Sequence, residues 1–266
     1  MFDTGWPPGA GGLRAPGSGR DTQATKPKFR GRMYRNAIFS MLHARHADLL
    51  ARFATPVVFG AGAVLRGPQA QSSKVIFPET GLVAVLTLLE DKQIIEVGLV
   101  GHSGASISNS LFSVNTIDDA EIAVTDVAGW SMNATDIAAI LDKDTNARLA
   151  FSRNAEFLLR QSRQLAACHA WHTLDQRLAT WLLRASEMGQ TRAFHLTQKK
   201  IANFLGVSHA RLSTAAFKLL SLGAVDYMKG RLEILDSTVL AARACSCQRI
   251  LHENHRCLLH LHGFDG

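Results

Sequence analysis

Residues 195–236, HLTQKKIANFLGVSHARLSTAAFKLLSLGAVDYMKGRLEILD, constrain the fold more than any other stretch of the chain. Thr197 is placed to cap a helix whose apolar residues Ile201, Ala202 and Leu205 share one face. Gly206 follows, and glycine adopts the left-handed geometry that ends a helix at least cost. Ser208 can cap a second helix, in which Leu212, Ala216, Leu219 and Leu220 recur at helical spacing until Gly223. Val225–Tyr227 and Arg231–Leu235 then read as two short strands around Lys229-Gly230. Helix, tight turn, helix and basic hairpin together form a unit that can place its second helix in a DNA major groove.

The preceding sequence supplies the rest of an α+β protein. Thr173 and Gln176 have the spacing of a capping box, so a new helix starts there, with Leu174, Leu178, Trp181 and Leu182 facing inward. Before it, a long helix is predicted over 143–169. Phe151, Ala155, Leu158, Ser162, Leu165 and His169 alternate along it in steps of four and three, as in a heptad seam. Short apolar runs at Val57–Phe59, Val75–Phe77, Leu82–Leu89, Ile94–Leu99 and Ala120–Val124, bounded by Gly, Pro and Ser, suit an antiparallel barrel or jelly roll. Helical patterns flank these runs at Ala37–Phe53 and Asn133–Leu141. Residues 1–35 are Gly/Pro-rich and then basic, a composition that packs no core and reads as a disordered, solvated arm.

Composition narrows the function classes. In 266 residues, 47% are hydrophobic and 19% charged, enough to bury a core, and the formal charge of +7 favours a polyanionic partner. The four cysteines all follow residue 167 and do not form the framework of a secreted disulfide protein. No apolar run spans a bilayer, so a cytoplasmic protein without membrane contact is expected. A P-loop, a nucleophile elbow and a metal-binding helix motif are all missing; Ser103, in Gly101-His102-Ser103-Gly104-Ala105, lacks the second glycine of an elbow. An enzyme is not expected.

Three segments resemble one family. LTQKKIANFLGVS (196–208) is similar to the start of the winged helix of the Crp–Fnr superfamily of bacterial transcription regulators. CHAWHTLDQRLATWLLRA (168–185) resembles the helix leading into it, and residues 59–104 resemble its β-roll effector domain. The resemblance implies an N-terminal β-roll (jelly roll), a long dimerisation helix and a C-terminal winged helix-turn-helix. The chain then divides into a basic arm (1–35), a cyclic-nucleotide-binding-like domain (36–142), a dimerisation helix and hinge (143–172), the DNA-binding domain (173–240) and a Cys/His-rich tail (241–266). Double-stranded DNA and a second copy of the chain are the implied partners, with RNA polymerase a further candidate. The seam from Phe151 to His169 would form the dimer interface.

On that reading, Thr197, Lys199 and Ser208 sit at helix N-termini that favour phosphate. Lys218, Lys229 and Arg231 reach the backbone, while His209, Arg211 and Thr214 with Ala210 lie on the reading face. Arg211 is the candidate for a bidentate guanine contact. The chain departs from the family at His209-Ala210, where better-known members carry an Arg-Glu pair, so their usual half-site does not transfer.

Cofactor expectations are mostly negative. Residues 98–119 contain neither the Arg nor the Glu that hold a cyclic nucleotide in this family, so cyclic AMP is not expected as the effector. No cysteine precedes Cys168, which argues against the family's iron–sulfur cluster. Cys245, Cys247, His252, His255 and Cys257 offer ligands for zinc or copper, but their spacing matches no standard finger and no metal is assigned. The alternative function is a metal- or small-ligand-binding regulatory protein whose winged helix serves protein contacts. Effector, operator and direction of regulation are not encoded legibly.

Overall fold

A computed structural model describes residues 34–67, 74–89, 93–106, 119–228 and 230–261. The elements run α1 (Ala37–Phe53), β1 (Thr55–Phe59), β2 (Val64–Arg66), β3 (Lys74–Thr80), β4 (Val83–Leu88), β5 (Ile94–Val100), β6 (Asp119–Ala123), β7 (Val127–Asn133), α2 (Ala134–Lys143) and α3 (Thr145–Trp171). They continue with α4 (Leu174–Gly189), β8 (Ala193–Phe194), α5 (Gln198–Phe204), α6 (His209–Ser221), β9 (Val225–Met228), β10 (Arg231–Ile234), α7 (Ser237–Arg243) and α8 (Cys247–Leu261). The basic arm expected over 1–35 lies outside the described residues except for its last two positions.

The β-roll consists of two antiparallel sheets, ordered β1-β7-β3 and β2-β6-β4-β5. Five strands fall on the short apolar runs of the sequence. The other two carry no such run: β2 has three residues, and β7 (VAGWSMN) mixes small and polar residues. Aromatic contacts bind α1 and α3 to one sheet, with Phe77 centred 5.4 Å from Phe39 and 6.2 Å from Phe151.

Helix α3 closes the open edge of the other sheet. Strand β5 ends that sheet, and an edge strand presents unpaired N–H and C=O groups. The Gln161 amide takes both groups of Leu99, accepting from its N–H at 3.1 Å and donating to its carbonyl at 3.0 Å. Asn154 treats Ala105 the same way, at 3.2 and 3.0 Å, and the Ser162 hydroxyl donates to the Val97 carbonyl at 2.8 Å. Gln161 and Ser162 thus imitate a neighbouring strand for β5, while Asn154, seven residues before Gln161, holds Ala105 beyond the turn that follows the strand.

This docking uses the face of α3 expected to form the dimer seam. Phe151 is buried in the β-roll core, Leu158 packs beside Gly98 and Val85, and Ser162 is bonded to β5. Leu165 is buried against Cys245, Cys247 and Leu251, and Ala155 and His169 are half-buried. Periodicity reports that a helix face is buried, not which molecule buries it. The outward face instead carries Leu149, Leu159, Ala166, Ala170 and Trp171, with Trp171 86% exposed.

The described part of the Cys/His-rich segment is largely helical, in α7 and α8. Leu251, His255 and Leu258 form one buried stripe of α8, which packs on α3 and α4. The α3–α4 bend is fixed by the capping box at Thr173, whose backbone N–H donates to Gln176 Oε1 at 3.1 Å. Across it, the β-roll and the C-terminal domain share a continuous core running from Leu86 and Leu99 to Leu182 and Leu205. A Cβ at Gly101 would collide with the Met188 carbonyl, so this contact admits only glycine.

A buried ion pair lies within that contact. Glu96 of β5 accepts from Arg184 and, at 3.1 Å, from Trp181 Nε1, both on α4. Burial pushes the Glu96 carboxyl up, opposed by Arg184 and Trp181. Arg184→Met should therefore destabilise the protein by about 3–5 kcal/mol, because it strands a buried carboxylate. The double variant Glu96→Leu/Arg184→Met should recover most of that loss in urea unfolding. Equal stabilities of the single and double variants would refute this account.

Candidate nucleic-acid interface

The two helices of the C-terminal domain are capped as the sequence predicts. The Thr197 side chain accepts from the Lys200 N–H at 3.3 Å, and that of Ser208 from the Arg211 N–H at 3.4 Å. Gly206 has φ +62°, and Ile95 of β5 sits so close that a Cβ would lie 3.1 Å from it. Helix α6 buries Leu212, Ala215, Ala216 and Leu219, whereas Leu220, expected inside, is partly exposed. The short strand β8 extends the hairpin into a sheet ordered β8-β10-β9. Tyr227 fastens this wing to α5, its hydroxyl donating to the Leu196 carbonyl at 2.9 Å and accepting from the Gln198 N–H at 3.0 Å.

The outward face of α6 collects most of the expected reading residues. His209, Ala210, Arg211 and Thr214 are all exposed over its first turns. The Thr214 hydroxyl donates to the Ala210 carbonyl at 3.2 Å. Lys199 is exposed at the start of α5. Lys218 and Arg231 meet acidic partners within the chain: Lys218 Nζ lies 2.6 Å from Asp175 Oδ2, and the Arg231 guanidinium lies 3.1 Å from Glu233. Both pairs are exposed, so they are weak and exchangeable. Lys229 lies outside the described residues. Sequence reasoning missed Phe217, which is 68% exposed on α6; its only signal was an aromatic residue off the apolar stripe.

Residues 176–243 match the family model for the Crp-like helix-turn-helix domain. The C-terminal domain is a Crp-like helix-turn-helix domain. Solved structures extend the likeness to most of the chain. A protein from Eubacterium rectale assigned to the Crp/Fnr family superposes with TM-score 0.64 at 17% identity, over 80% of this chain and 97% of its own. FixK2 from Bradyrhizobium japonicum gives 0.60 at 16%, over 73% and 98%. The c-di-GMP-responsive global regulator CLP from Xanthomonas campestris gives 0.60 at 13%, over 73% and 99%. No curated protein sequence matches the chain. The chain therefore has a Crp/Fnr-type transcription-regulator fold, with its Crp-like domain carried beyond the bend after α3. No helix among the described residues is long and apolar enough to cross a membrane.

The candidate metal ligands separate into two pairs and the lone Cys257. His252 Nδ1 and His255 Nδ1 both pair with Glu187, at 2.9 and 2.8 Å, and Cys257 is exposed elsewhere on α8. Hydrogen bonds from the two histidines outweigh burial and hold the Glu187 carboxyl below its ordinary range. His255 Nε2 also lies 2.9 Å from Ser103 Oγ. Hydroxyl, imidazole and carboxylate stand in the order of a hydrolytic triad, but Ser103 is 1% exposed and His255 3%, so no substrate reaches the hydroxyl. The three groups form a polar tie between α8, α4 and the β-roll.

Cys245 and Cys247 do not join these histidines. They meet Cys168 and His172 at the end of α3, with the four ligand atoms all within 4.8 Å of one another. Cys168 and His172 are four residues apart, one helical turn, which is the signal that sequence reasoning left unused. Burial pushes the Cys168 thiol up; burial acts the same way on Cys245, but hydrogen bonds from Thr180 and Cys168 bring it below its ordinary value.

Proposed function

We propose that this protein is a homodimeric, sequence-specific DNA-binding transcription regulator that acts in the cytoplasm by binding rather than catalysis. The observation that carries the reading is the capped, exposed first half of α6 beside a wing, in a chain of net charge +7. The Ser208-capped N-terminus of α6 and Lys199 position the domain on phosphates, and Arg211 reads bases, with His209 and Thr214 beside it. Phe217 supplies an apolar surface suited to a thymine methyl. The same exposed ring favours the second reading, a winged helix used for protein contact, which would lack the salt dependence of phosphate neutralisation.

Self-association is assigned to the outward face of α3. Leu149, Leu159, Ala166 and Ala170 follow one another at heptad-compatible spacing and are exposed. Pairing there would set two α6 helices about 34 Å apart, one DNA turn, on a pseudo-palindrome. The effector is a ligand other than cyclic AMP, since residues 98–119 offer no Arg or Glu to a cyclic phosphate. RNA polymerase is the partner such a regulator would address.

Three outcomes are expected. Once a site has been selected from a random duplex pool, Arg211→Ala should weaken specific binding by about 10–100-fold and leave scrambled duplex almost unchanged, whereas Lys199→Ala lowers both and reduces the salt slope by about one. Equal losses on both duplexes for Arg211→Ala would remove its base-reading role, and salt-independent binding would favour the protein-contact reading. Light scattering of Leu159→Asp should give a single-chain mass with an unchanged melting temperature; a persistent two-chain mass would exclude this face. Calorimetric titration with cyclic AMP should give no binding heat at micromolar concentration.

A further inference from the structure

We propose that Cys168, His172, Cys245 and Cys247 form a structural zinc site that clamps the C-terminal helix to the bend between α3 and α4. Zinc bonds of about 2.3 Å to sulfur and 2.0–2.1 Å to nitrogen, set tetrahedrally, place sulfurs about 3.8 Å apart and sulfur about 3.5 Å from nitrogen. Cys168 Sγ and Cys245 Sγ are 3.6 Å apart, and Cys247 Sγ is 3.5 Å from His172 Nδ1. All four ligand atoms fall within 4.8 Å, so one ion can reach them together.

The ligand set and its surroundings favour zinc in a closed site. Three thiolates and one imidazole are soft and borderline donors, and four protein ligands leave no position for a substrate, as in structural rather than catalytic zinc. The three cysteines are free and buried, and His172 is half-buried. An outer layer is already in place. Gln164 Nε2 donates to Cys247 Sγ at 3.0 Å; the Thr180 hydroxyl lies 3.1 Å from Cys245 Sγ and accepts from the Cys245 N–H at 3.2 Å. Such contacts orient metal-bound sulfur and offset its charge.

Placement gives the site its role. Cys168 ends a helix docked on the β-roll, His172 is the C-cap at the bend, and Cys245 and Cys247 join α7 to α8. One ion would tie these pieces at the junction between the two domains, whether or not the winged helix reads DNA.

The test uses the full chain, purified anaerobically with a thiol reductant and without added metal. Elemental analysis should find about one zinc per chain, and chelation should lower the melting temperature by several degrees, restored by zinc. Cobalt(II) added to the chelated protein should give the charge-transfer and d–d absorption of a tetrahedral thiolate site. Cys245→Ser and Cys247→Ser should lose the zinc, while Cys257→Ser and His252→Ala, outside the set, should keep it. Should the serine variants fail to fold, the wild-type cobalt spectrum and Cys257→Ser still decide. Absence of bound metal and of cobalt absorption, iron or copper in place of zinc, or a Cys168–Cys245 disulfide by mass mapping would each overturn the proposal.

Discussion

The rest of the structure depends on how the open edge of β5 is satisfied. Strand β4 covers one side of it, and the other side would face water with unpaired backbone groups. Gln161 and Ser162 of α3 take those groups instead, so the long helix is joined to the sheet by hydrogen bonds as well as by packing. The same strand holds Arg184 and Trp181 of α4 through Glu96, and its Ile95 touches the turn between α5 and α6. One strand therefore touches the long helix and the Crp-like domain at once.

That arrangement redistributes the faces of α3. A 27-residue helix that gives one side to its own sheet has the opposite side left for another partner. Its hidden side contains the polar Asn154 and Gln161, which a hydrophobicity pattern counts against burial, although both amides are fully paired. Its outward side contains Leu149, Leu159 and Trp171, which the same pattern treats as incidental.

These particulars explain what the sequence made legible. The helix-turn-helix was readable because its devices are local: caps at Thr197 and Ser208, a left-handed Gly206 and a stripe through Leu212 and Leu219 act within a few residues. The same is true of the capping box at Thr173 and of the strands that carry a short apolar run. The orientation of α3 was not readable, because it depends on a strand some 60 residues distant, the separation between Gln161 and Leu99 being 62. Charge partners were hidden for the same reason: Lys218 meets Asp175 across 43 positions. The cysteine cluster joins residues 77 apart, a separation that the local Cys and His spacing of the C-terminal segment does not reveal.

The contacts across the bend also bound how such a molecule can switch. A reorientation of the Crp-like domain must separate Glu96 from Arg184 or carry both along, and must part Gly101 from the Met188 carbonyl. Breaking a buried pair costs about 3–5 kcal/mol. An effector that favoured such a moved arrangement would need to bind it roughly a hundred- to several-thousand-fold better than the arrangement seen here, at about 1.4 kcal/mol per tenfold. A smaller preference suffices if Glu96 and Arg184 remain together and motion is confined to the far side of α4, where Lys218–Asp175 is exposed and exchangeable. The buried contacts at β5 thus favour small adjustments of α5, α6 and the wing over rotation of the whole domain.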